Sequence, residues 1–390
     1  MDLRYLAESV TADAFADGKM AFVSGPRQVG KTSLGKSLLT APSNYFTWDD
    51  PVFRRTWLAS PRKALAELAR GPLVLDEIHK DRRWKNHLKG YFDTVGVGDG
   101  LLVTGSARLD LYRRGGDSML GRYLPYRLHP FSVGEHTKSA NPDRLAARSV
   151  RIPWPDLLRL GGFPEPLFAG SEAKASRWSR LRIERLIQED VRDIRGITDL
   201  SGLRVLADML PERVGSLLSV NALREDLGVA HATLSAWLDV FEALYLSFTI
   251  RPFTTRLARS VAKAPKLYLF DILQIPRERH GARLENLAAL HLLKACHYWT
   301  DTAQGVFELR YLRNKDQREV DFLVLRDRKP FYLVECKASD TSLATDLVHY
   351  QGLLNAPHAV QLVDRRDYDR TDRTTGIRVV DYERFFSGWV

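Results

Sequence analysis

The sequence contains little cysteine and no long apolar run. Only two cysteines, Cys296 and Cys336, occur in 390 residues, which excludes a disulfide framework and a zinc site built from cysteines. No apolar stretch approaches the roughly 18 residues of a membrane-spanning helix, and the first twenty residues lack the apolar core of a signal peptide. We therefore expect a cytoplasmic protein with no membrane partner.

The chain also lacks internal repeats and low-complexity tracts, which excludes a solenoid. Its length favours two or three domains. The 58 lysines and arginines exceed the 48 acidic residues, and the net charge is +10. This balance favours an anionic partner such as DNA, although it also fits a basic protein that binds no nucleic acid.

The first part of the chain alternates short apolar segments with helical patterns. The segments MAFVS, GPLVLDE and GLLVTGS end in small or acidic residues, as buried parallel strands do. Helices are predicted at 31–40 and 61–70. Strands that alternate with helices predict an α/β fold with a parallel sheet of βαβ units.

A glycine-rich motif directly follows the segment MAFVS and opens the helix predicted at 31–40. It matches the pattern G-x-x-x-x-G-K-[ST], in which backbone N–H groups and a helix N-terminus surround phosphate groups. We expect Lys31 to contact the β- and γ-phosphates of ATP and Thr32 to ligate Mg²⁺. The predicted ATP-binding residues here are Gly25, Pro26, Arg27, Gln28, Val29, Gly30, Lys31, Thr32 and Ser33.

Two acidic residues end the next apolar segment. We expect Asp76 to hold Mg²⁺, through water, and Glu77 to orient or deprotonate the attacking water. The alternative is that the pair only caps a helix or lies in a solvated loop. The following segment ends in polar residues, so Ser106 or Thr104 is predicted to sense the γ-phosphate.

Two short helices with a tight turn are predicted near the middle of the chain. The first covers 221–227 and ends at Gly228, and the second runs from 231 to 244, which is the spacing of a helix-turn-helix. Much of the second helix is apolar, so a packing or dimerisation role competes with DNA binding. The sharper alternative is DNA contact through a basic stretch that contains Arg251, Arg256, Arg259 and Lys263.

The order of motifs resembles a known family. The phrases GPRQVGKTSL, YFTWDDP, LVLDEIHK, LLVTGSARLDL, LGRYLPYRLHPFSVGE and GGFPEPL are similar to those of prokaryotic AAA ATPases with a conserved C-terminal domain of unknown function. The resemblance implies a winged helix followed by a restriction-endonuclease-like PD-(D/E)XK fold. It also implies that Arg122 is an arginine finger or sensor, whereas the plainer alternative is a surface arginine in a loop.

Carboxylates and a lysine in the last part of the chain suggest a second site. Glu335 and Lys337 are two positions apart at the end of a predicted strand and so face the same side, where Asp321 from a neighbouring strand can meet them. Such a group can bind Mg²⁺, or Mn²⁺, and activate water against a phosphate. The spacing resembles the D…E-x-K signature of PD-(D/E)XK nucleases, whose helical acid and helical polar residue Glu285 and Gln351 match. The alternatives are solvated strand ends, or a fold that binds DNA without cutting it.

These patterns together predict four segments. They are an AAA-type P-loop ATPase at 1–155, a helical lid or linker at 156–205, a winged-helix-like segment at 206–263 and a nuclease-like α/β domain at 264–390. We expect ATP hydrolysis to control a DNA-facing C-terminal half that is a metal-dependent nuclease. A nucleotide-dependent switch without nuclease activity is the main alternative, and a remodeller of nucleic acid is a weaker one. The sequence leaves open whether the protein is a homo-oligomer.

Overall fold

The computed structural model describes residues 4–105, 119–135, 141–145, 147–148, 150–191, 197, 199–254 and 264–390. The chain forms two compact units, one of Met1–Pro130 with Glu135–Ser139 and one of Phe131–Gly134 with Ala140–Val390. The segment expected at 1–155 therefore spans the first unit and the beginning of the second. The segments expected at 156–205, 206–263 and 264–390 all lie within the second unit.

The first unit contains a five-stranded parallel sheet in the order β2-β3-β4-β1-β5. The strands β1, β3 and β4 are buried along their whole length, as expected for parallel strands covered on both faces. These three strands are the ones predicted from the apolar segments. The bounds are β1 Met20–Ser24, β2 Tyr45–Thr47, β3 Leu73–Asp76, β4 Leu101–Thr104 and β5 Tyr123–Arg127.

The strand order brings the ends of β3, β4 and β1 together. Thr104, the last residue of β4, pairs in register with Asp76 on one side and with Val23 on the other. In parallel sheets, ligands bind at the carboxyl ends of the strands. The P-loop after β1 and the acids at the end of β3 therefore share one edge of the sheet, with Thr104 between them.

The helix predicted at 61–70 is wrong beyond its first turn. Ser60 caps a helix that covers only Pro61–Ala64. The backbone after it is held by side chains from elsewhere, because Asn44 bonds Ala69 and Thr40 bonds Arg70. The α-helices of this unit are Leu6–Ser9, Lys31–Leu38, Pro51–Ala59, Pro61–Ala64 and Trp84–Val95.

The second unit begins with helices. The two helices of the predicted helix-turn-helix are confirmed: Val220–Leu227 ends at Gly228, whose φ is 65°, and His231–Ala243 buries Leu234, Trp237 and Phe241. The helix Glu172–Arg185 is followed by a π-helical segment Leu186–Val191. The remaining α-helices of this part are Trp154–Leu160, Pro164–Ala169 and Leu200–Met209.

The second unit also contains a mixed eight-stranded sheet, in the order β12-β13-β11-β10-β9-β8-β6-β7. The segments LYLF, FELRYL, VDFLVL and FYLVECK form the strands β7 to β10. The bounds are β6 Ser247–Pro252, β7 Lys266–Leu269, β8 Phe307–Arg313, β9 Glu319–Arg326, β10 Lys329–Lys337, β11 His358–Val363, β12 Asp369–Thr371 and β13 Arg378–Asp381.

Two predicted helices pack against this sheet. The helix His280–Asp301 precedes the antiparallel strands β8, β9 and β10, and the helix Thr345–Leu354 leads from β10 to β11, which runs parallel to β10. Apolar residues of β8 to β10 form a buried core with Leu347 and Tyr350 of the second helix. A last helix covers Tyr382–Phe386. None of the described helices is both long enough and apolar enough to cross a membrane.

The side chain of Asn286 fixes β7 against the helix His280–Asp301. It is fully buried, accepts a hydrogen bond from the Leu269 N–H at 2.8 Å and donates one to the Leu269 carbonyl at 2.9 Å. The amide thus completes the hydrogen bonding of a strand residue, as a neighbouring strand would. This contact positions the last residue of β7 relative to the helix that carries Glu285.

We expect Asn286→Ala to lower the free energy of unfolding of the second unit by about 2–4 kcal/mol, because two buried backbone groups lose their partner. Chemical denaturation measures this change, and amide exchange at Leu269 should accelerate. Asn221→Ala, at an exposed position of another helix, should change stability by less than about 0.5 kcal/mol. Equal effects of the two substitutions would contradict the role given to Asn286.

Candidate functional site

The loop between β1 and the helix Lys31–Leu38 curls tightly over the end of that helix. Gly25 has φ 153°, and a Cβ atom there would lie 2.3 Å from the Leu128 carbonyl oxygen, so only glycine fits. Gly30, at φ 101°, caps the helix. The buried Lys31 donates from Nζ to the carbonyls of Gly25 at 2.9 Å and Pro26 at 2.7 Å. The loop thus gathers an ammonium group and a helix N-terminus, both suited to phosphate.

Three hydroxyl groups converge on the buried carboxylate of Asp76. Oδ2 accepts from Thr32 Oγ1 at 2.7 Å and from the Tyr45 hydroxyl at 2.6 Å, and Oδ1 accepts from Thr104. Burial and the Asp76 carboxylate raise the pKa of Tyr45, so its hydroxyl stays protonated as a donor. The threonine of the P-loop and the acid of β3 are therefore brought together, as magnesium binding requires.

Glu77 follows in a left-handed conformation, with φ 58°. Its backbone N–H donates to the Thr104 carbonyl at 3.0 Å, and its Oε2 lies 3.7 Å from both His79 Nε2 and Lys80 Nζ. Burial raises the pKa of Glu77, while the charges of Lys31 and Lys80 oppose the rise. A carboxylate with a raised pKa beside the P-loop lysine is placed to accept a proton from water.

Not all of the other residues predicted to bind ATP lie at the P-loop. Pro26, Arg27, Gln28 and Val29 form the loop, and Ser33 lies in the first turn of the helix. Ser106 lies outside the described residues. Arg122 precedes β5 at the amino end of the sheet, where its carbonyl accepts from Met20 N and its guanidinium pairs with Asp93 at 2.7 Å. The structure does not bring Arg122 to the P-loop of its own chain.

Arg4 is a contact of the P-loop that the sequence did not reveal. Its guanidinium donates to the Val29 carbonyl at 2.5 Å, to the His129 carbonyl at 2.6 Å and to the buried carboxylate of Glu135 at 2.7 Å. These bonds fasten the P-loop to the segment that follows β5. Nothing in the local sequence around Arg4 marks it, because its partners lie far along the chain.

A second cluster of charged side chains lies in the C-terminal unit. Glu285, Asp321, Glu335 and Lys337 line one cleft of about 200 Å³, together with Cys336 and Tyr382. Asp321 Oδ2 accepts from the Cys336 N–H at 3.0 Å, and Lys337 Nζ lies 2.8 Å from Glu335 Oε1. The strands β9 and β10 and the helix His280–Asp301 thus bring the predicted acids and lysine together.

Lys266 is a residue of this cluster that the sequence analysis missed. Its side chain is only 3% exposed, and Nζ lies 3.2 Å from Glu285 Oε1, 3.2 Å from Asp321 Oδ1 and 2.6 Å from Glu319 Oε1. Tyr268, two residues along β7, donates its hydroxyl to the same Glu285 oxygen at 2.7 Å. Burial alone would lower the pKa of Lys266, but the three carboxylates together raise it, so the side chain is an ammonium ion.

Crowding of carboxylates in a buried place changes their protonation. Burial, reinforced by the charge of Asp321, raises the pKa of Glu285 to about 7 and that of Glu335 to about 8. Burial also raises the pKa of Cys336, which keeps it a thiol. A proton therefore remains in the cluster near neutral pH, where carboxyl groups in water have lost theirs.

The chemistry of the cleft fits a divalent metal ion, but the arrangement of its side chains does not form a complete ligand set. Within the described residues, no group of three or more His, Cys, Asp or Glu side chains is positioned to hold a metal ion. The ammonium of Lys266 lies between Glu285 and Asp321 instead. Gln351 does not line the cleft, and its amide donates to the Ala356 carbonyl at 3.0 Å.

Residues 17–137 match the family model described as "AAA domain". This match covers the P-loop, the five-stranded sheet and Asp76 with Glu77. The first unit carries an AAA-type P-loop ATPase domain. Residues 153–272 and 280–385 match two further family models, each described as a domain of unknown function, DUF8612 and DUF4143.

Individual proteins are similar to this chain at low identity. "Uncharacterized protein MJ1637" of Methanocaldococcus jannaschii is 24% identical in an alignment of 331 residues that covers 71% of this chain and 68% of that protein. Two solved structures of Thermotoga maritima RuvB variants are 16% and 18% identical and cover 62% of this chain and 88% of theirs, each with a TM-score of 0.30.

The raised pKa of Glu335 predicts a pH dependence of stability. An unfolded chain releases this proton near pH 4.5 and the folded chain near pH 8, so the folded state binds more protons between these values. Stability therefore falls as pH rises through this window. Glu335→Gln has no carboxyl group that titrates at this position, so its free energy of unfolding should fall less than that of wild type between about pH 5 and pH 8. The two decreases should differ by roughly 1–3 kcal/mol.

Denaturant unfolding across this pH range tests the prediction. Glu278→Gln is the control, since Glu278 is exposed on the same unit, and its stability should follow the wild-type profile. Parallel profiles for Glu335→Gln and wild type would show that the Glu335 carboxyl is not protonated in the folded state.

Proposed function

We propose that this protein is an ATPase whose nucleotide state controls a DNA-facing C-terminal domain, and that this domain is a metal-dependent nuclease. In the AAA domain, Lys31 contacts the phosphates of ATP, and Thr32 and Asp76 hold Mg²⁺. Glu77 acts on the attacking water, and Thr104 or Ser106 responds to the γ-phosphate. The observation that supports these roles is the convergence of Thr32, Thr104 and Asp76 beside Lys31 and Glu77 at one edge of the sheet.

Substitutions of Lys31 and Glu77 should impair ATP hydrolysis in different ways. Lys31→Ala removes the charge that meets the phosphates, so ATP affinity should fall by about tenfold or more. Glu77→Gln keeps the size of the side chain and removes only the proton acceptor, so ATP should still bind while hydrolysis slows by about a hundredfold or more. Fluorescent-nucleotide titration and phosphate release measure the two effects.

Glu67→Gln and Lys63→Ala change the same residue types at exposed positions of the same unit and should behave as wild type. Hydrolysis at the wild-type rate by both Lys31→Ala and Glu77→Gln would refute these assignments.

The nuclease proposal is carried by one observation, that Glu285, Asp321, Glu335 and Lys337 line a single cleft. A divalent ion held by Asp321 and Glu335, with Glu285 in support, would polarise a phosphate and activate water there. Lys337 is placed beside Glu335 to stabilise negative charge. The order of elements also supports it: a helix, three antiparallel strands, a second helix and a parallel strand, as the resemblance to PD-(D/E)XK nucleases implies.

DNA is the partner that charge and element order favour. The chain carries a net charge of +10, which suits a polyanion. The helices Val220–Leu227 and His231–Ala243 are followed by the antiparallel hairpin of β6 and β7, an order that fits a winged helix. Of the basic stretch, Arg251 is exposed on β6, while Arg256, Arg259 and Lys263 lie outside the described residues.

A switch that binds DNA without cutting it is the second candidate, and Lys266 favours it. Its ammonium ion already neutralises Glu285 and Asp321, which a nuclease would need to bind its metal ion but a DNA-binding fold would not. DNA cleavage separates the two candidates, and ATP hydrolysis is common to both.

Asp321→Ala should reduce cleavage of supercoiled plasmid in Mg²⁺ or Mn²⁺ by about a hundredfold or more, because it removes a carboxylate that would bind the metal ion. Lys337→Ala should also lose cleavage while metal binding persists. ATP hydrolysis should survive both changes, because the P-loop belongs to the other unit.

Asp316→Ala, in an exposed turn before β9, is the matched control and should cut as wild type does. If the wild-type protein cuts neither DNA nor RNA with either metal, with or without ATP, the switch is the correct function. Equal cleavage by wild type and Asp321→Ala would assign the activity to another site or to a contaminant.

A further inference from the structure

Lys266 is a charged residue that has no role in the proposed nuclease mechanism. It begins β7, pairs with Ile250 of β6, and lies across an isolated bridge from Leu217, so its backbone is fixed from two sides. Its side chain is almost completely removed from water, and its ammonium contacts three carboxylates. A lone lysine seldom leaves water in this way, because the loss of hydration must be offset by close partners.

Two of the three carboxylates belong to the cleft, and the ammonium lies midway between them. Nζ is 3.2 Å from Glu285, which comes from the helix His280–Asp301, and 3.2 Å from Asp321, which comes from β9. These two acids would repel each other without a cation between them. The ammonium therefore supplies the positive charge that this part of the cleft needs.

The surrounding contacts hold Glu285 in this position. Tyr268 donates to the oxygen that also contacts Lys266, and the backbone of Gly215 packs so closely that a Cβ atom there would lie 3.0 Å from Glu285 Oε2. Glu285 is thus oriented toward the cation whether that cation is an ammonium or a metal ion. The fixed carboxylate makes the two cations alternatives for the same place.

We propose that Lys266 is the resident cation of the C-terminal cleft and that a divalent metal ion binds there by displacing its ammonium from Glu285 and Asp321. The proposal rests on the proposed function in one respect, that the carboxylates of the cleft take a metal ion. Lys266 is a positioning residue that sets how readily the cleft accepts metal.

The third partner makes such an exchange feasible. Glu319 lies 2.6 Å from the ammonium and is not among the residues that line the cleft. Its other oxygen is bonded by Arg313 at 2.5 Å, which keeps the carboxylate in place. The ammonium can therefore give up Glu285 and Asp321 while it keeps one anionic partner, by rotation of its own side chain.

Isothermal titration of the 390-residue protein with Mn²⁺ tests the exchange. Lys266→Met removes the competing charge, so Mn²⁺ should bind about tenfold tighter or more than to wild type. Lys266→Gln, which keeps a hydrogen-bond donor without the charge, should behave in the same way and serves if the methionine variant folds poorly. Lys329→Met removes one charge from an exposed position on the same sheet and should leave Mn²⁺ affinity unchanged.

Thermal melts give a second readout. Without metal, Lys266→Met should melt at a lower temperature than wild type, because its carboxylates are uncompensated, and Mn²⁺ should raise its melting temperature more than that of wild type. Equal or weaker Mn²⁺ binding by both Lys266 variants overturns the proposal.

Asp321→Asn, introduced into wild type and into each Lys266 variant, separates two hypotheses: that the cleft binds a metal ion, and that this ion displaces the ammonium of Lys266. If the proposal holds, the gain in affinity disappears with Asp321→Asn. If wild type and the Lys266 variants bind Mn²⁺ equally and all lose it with Asp321→Asn, the cleft is a metal site and Lys266 is not its resident cation. If no protein shows binding that depends on Asp321, the metal site itself is absent, and the proposed nuclease and the exchange both fail.

Discussion

A charged side chain that leaves water needs partners that replace its hydration, and the places where this fold supplies them are its candidate sites. Asp76 receives three hydroxyl donors, Arg4 receives two carbonyls and a carboxylate, and Lys266 receives three carboxylates. Each set gathers strand ends and loops that are distant in the sequence. The sheets fix where these groups meet, and the buried charges fix how the side chains point.

The nature of the partners decides what each buried charge can do next. Hydroxyl donors satisfy Asp76 without neutralising it, so its carboxylate keeps a negative charge to offer to Mg²⁺ beside the phosphates. Carboxylates neutralise Lys266, and the same contacts reduce the negative charge that the cleft can offer to a metal ion. Under the functions proposed above, the nucleotide site would accept its ion directly, whereas the C-terminal cleft would exchange one cation for another.

The sequence was informative where function depends on neighbours along the chain. The P-loop is a local motif, the strands β1, β3 and β4 are continuous apolar segments, and Glu335 with Lys337 is a two-residue spacing on one strand. Arg4, Tyr45 and Lys266 could not be found in this way, since their partners lie 19 to 131 residues away. The helix expected at 61–70 failed for the same reason, because Thr40 and Asn44 bond the backbone that would have continued it.

Strand β7 shows why a residue can be decisive and still give no signal in the sequence. Lys266 stands at the first position of an apolar strand, where a lysine normally ends a buried segment in solvent. Here the segment from Val214 to Leu217 covers that end, and Asn286 ties the other end to the helix that carries Glu285. The lysine is therefore buried by tertiary contacts at both ends of its strand, and the acids it meets come from the helix and from β9. The position of the Lys266 ammonium between these acids is therefore a property of how β7 is docked, which only the folded structure reveals.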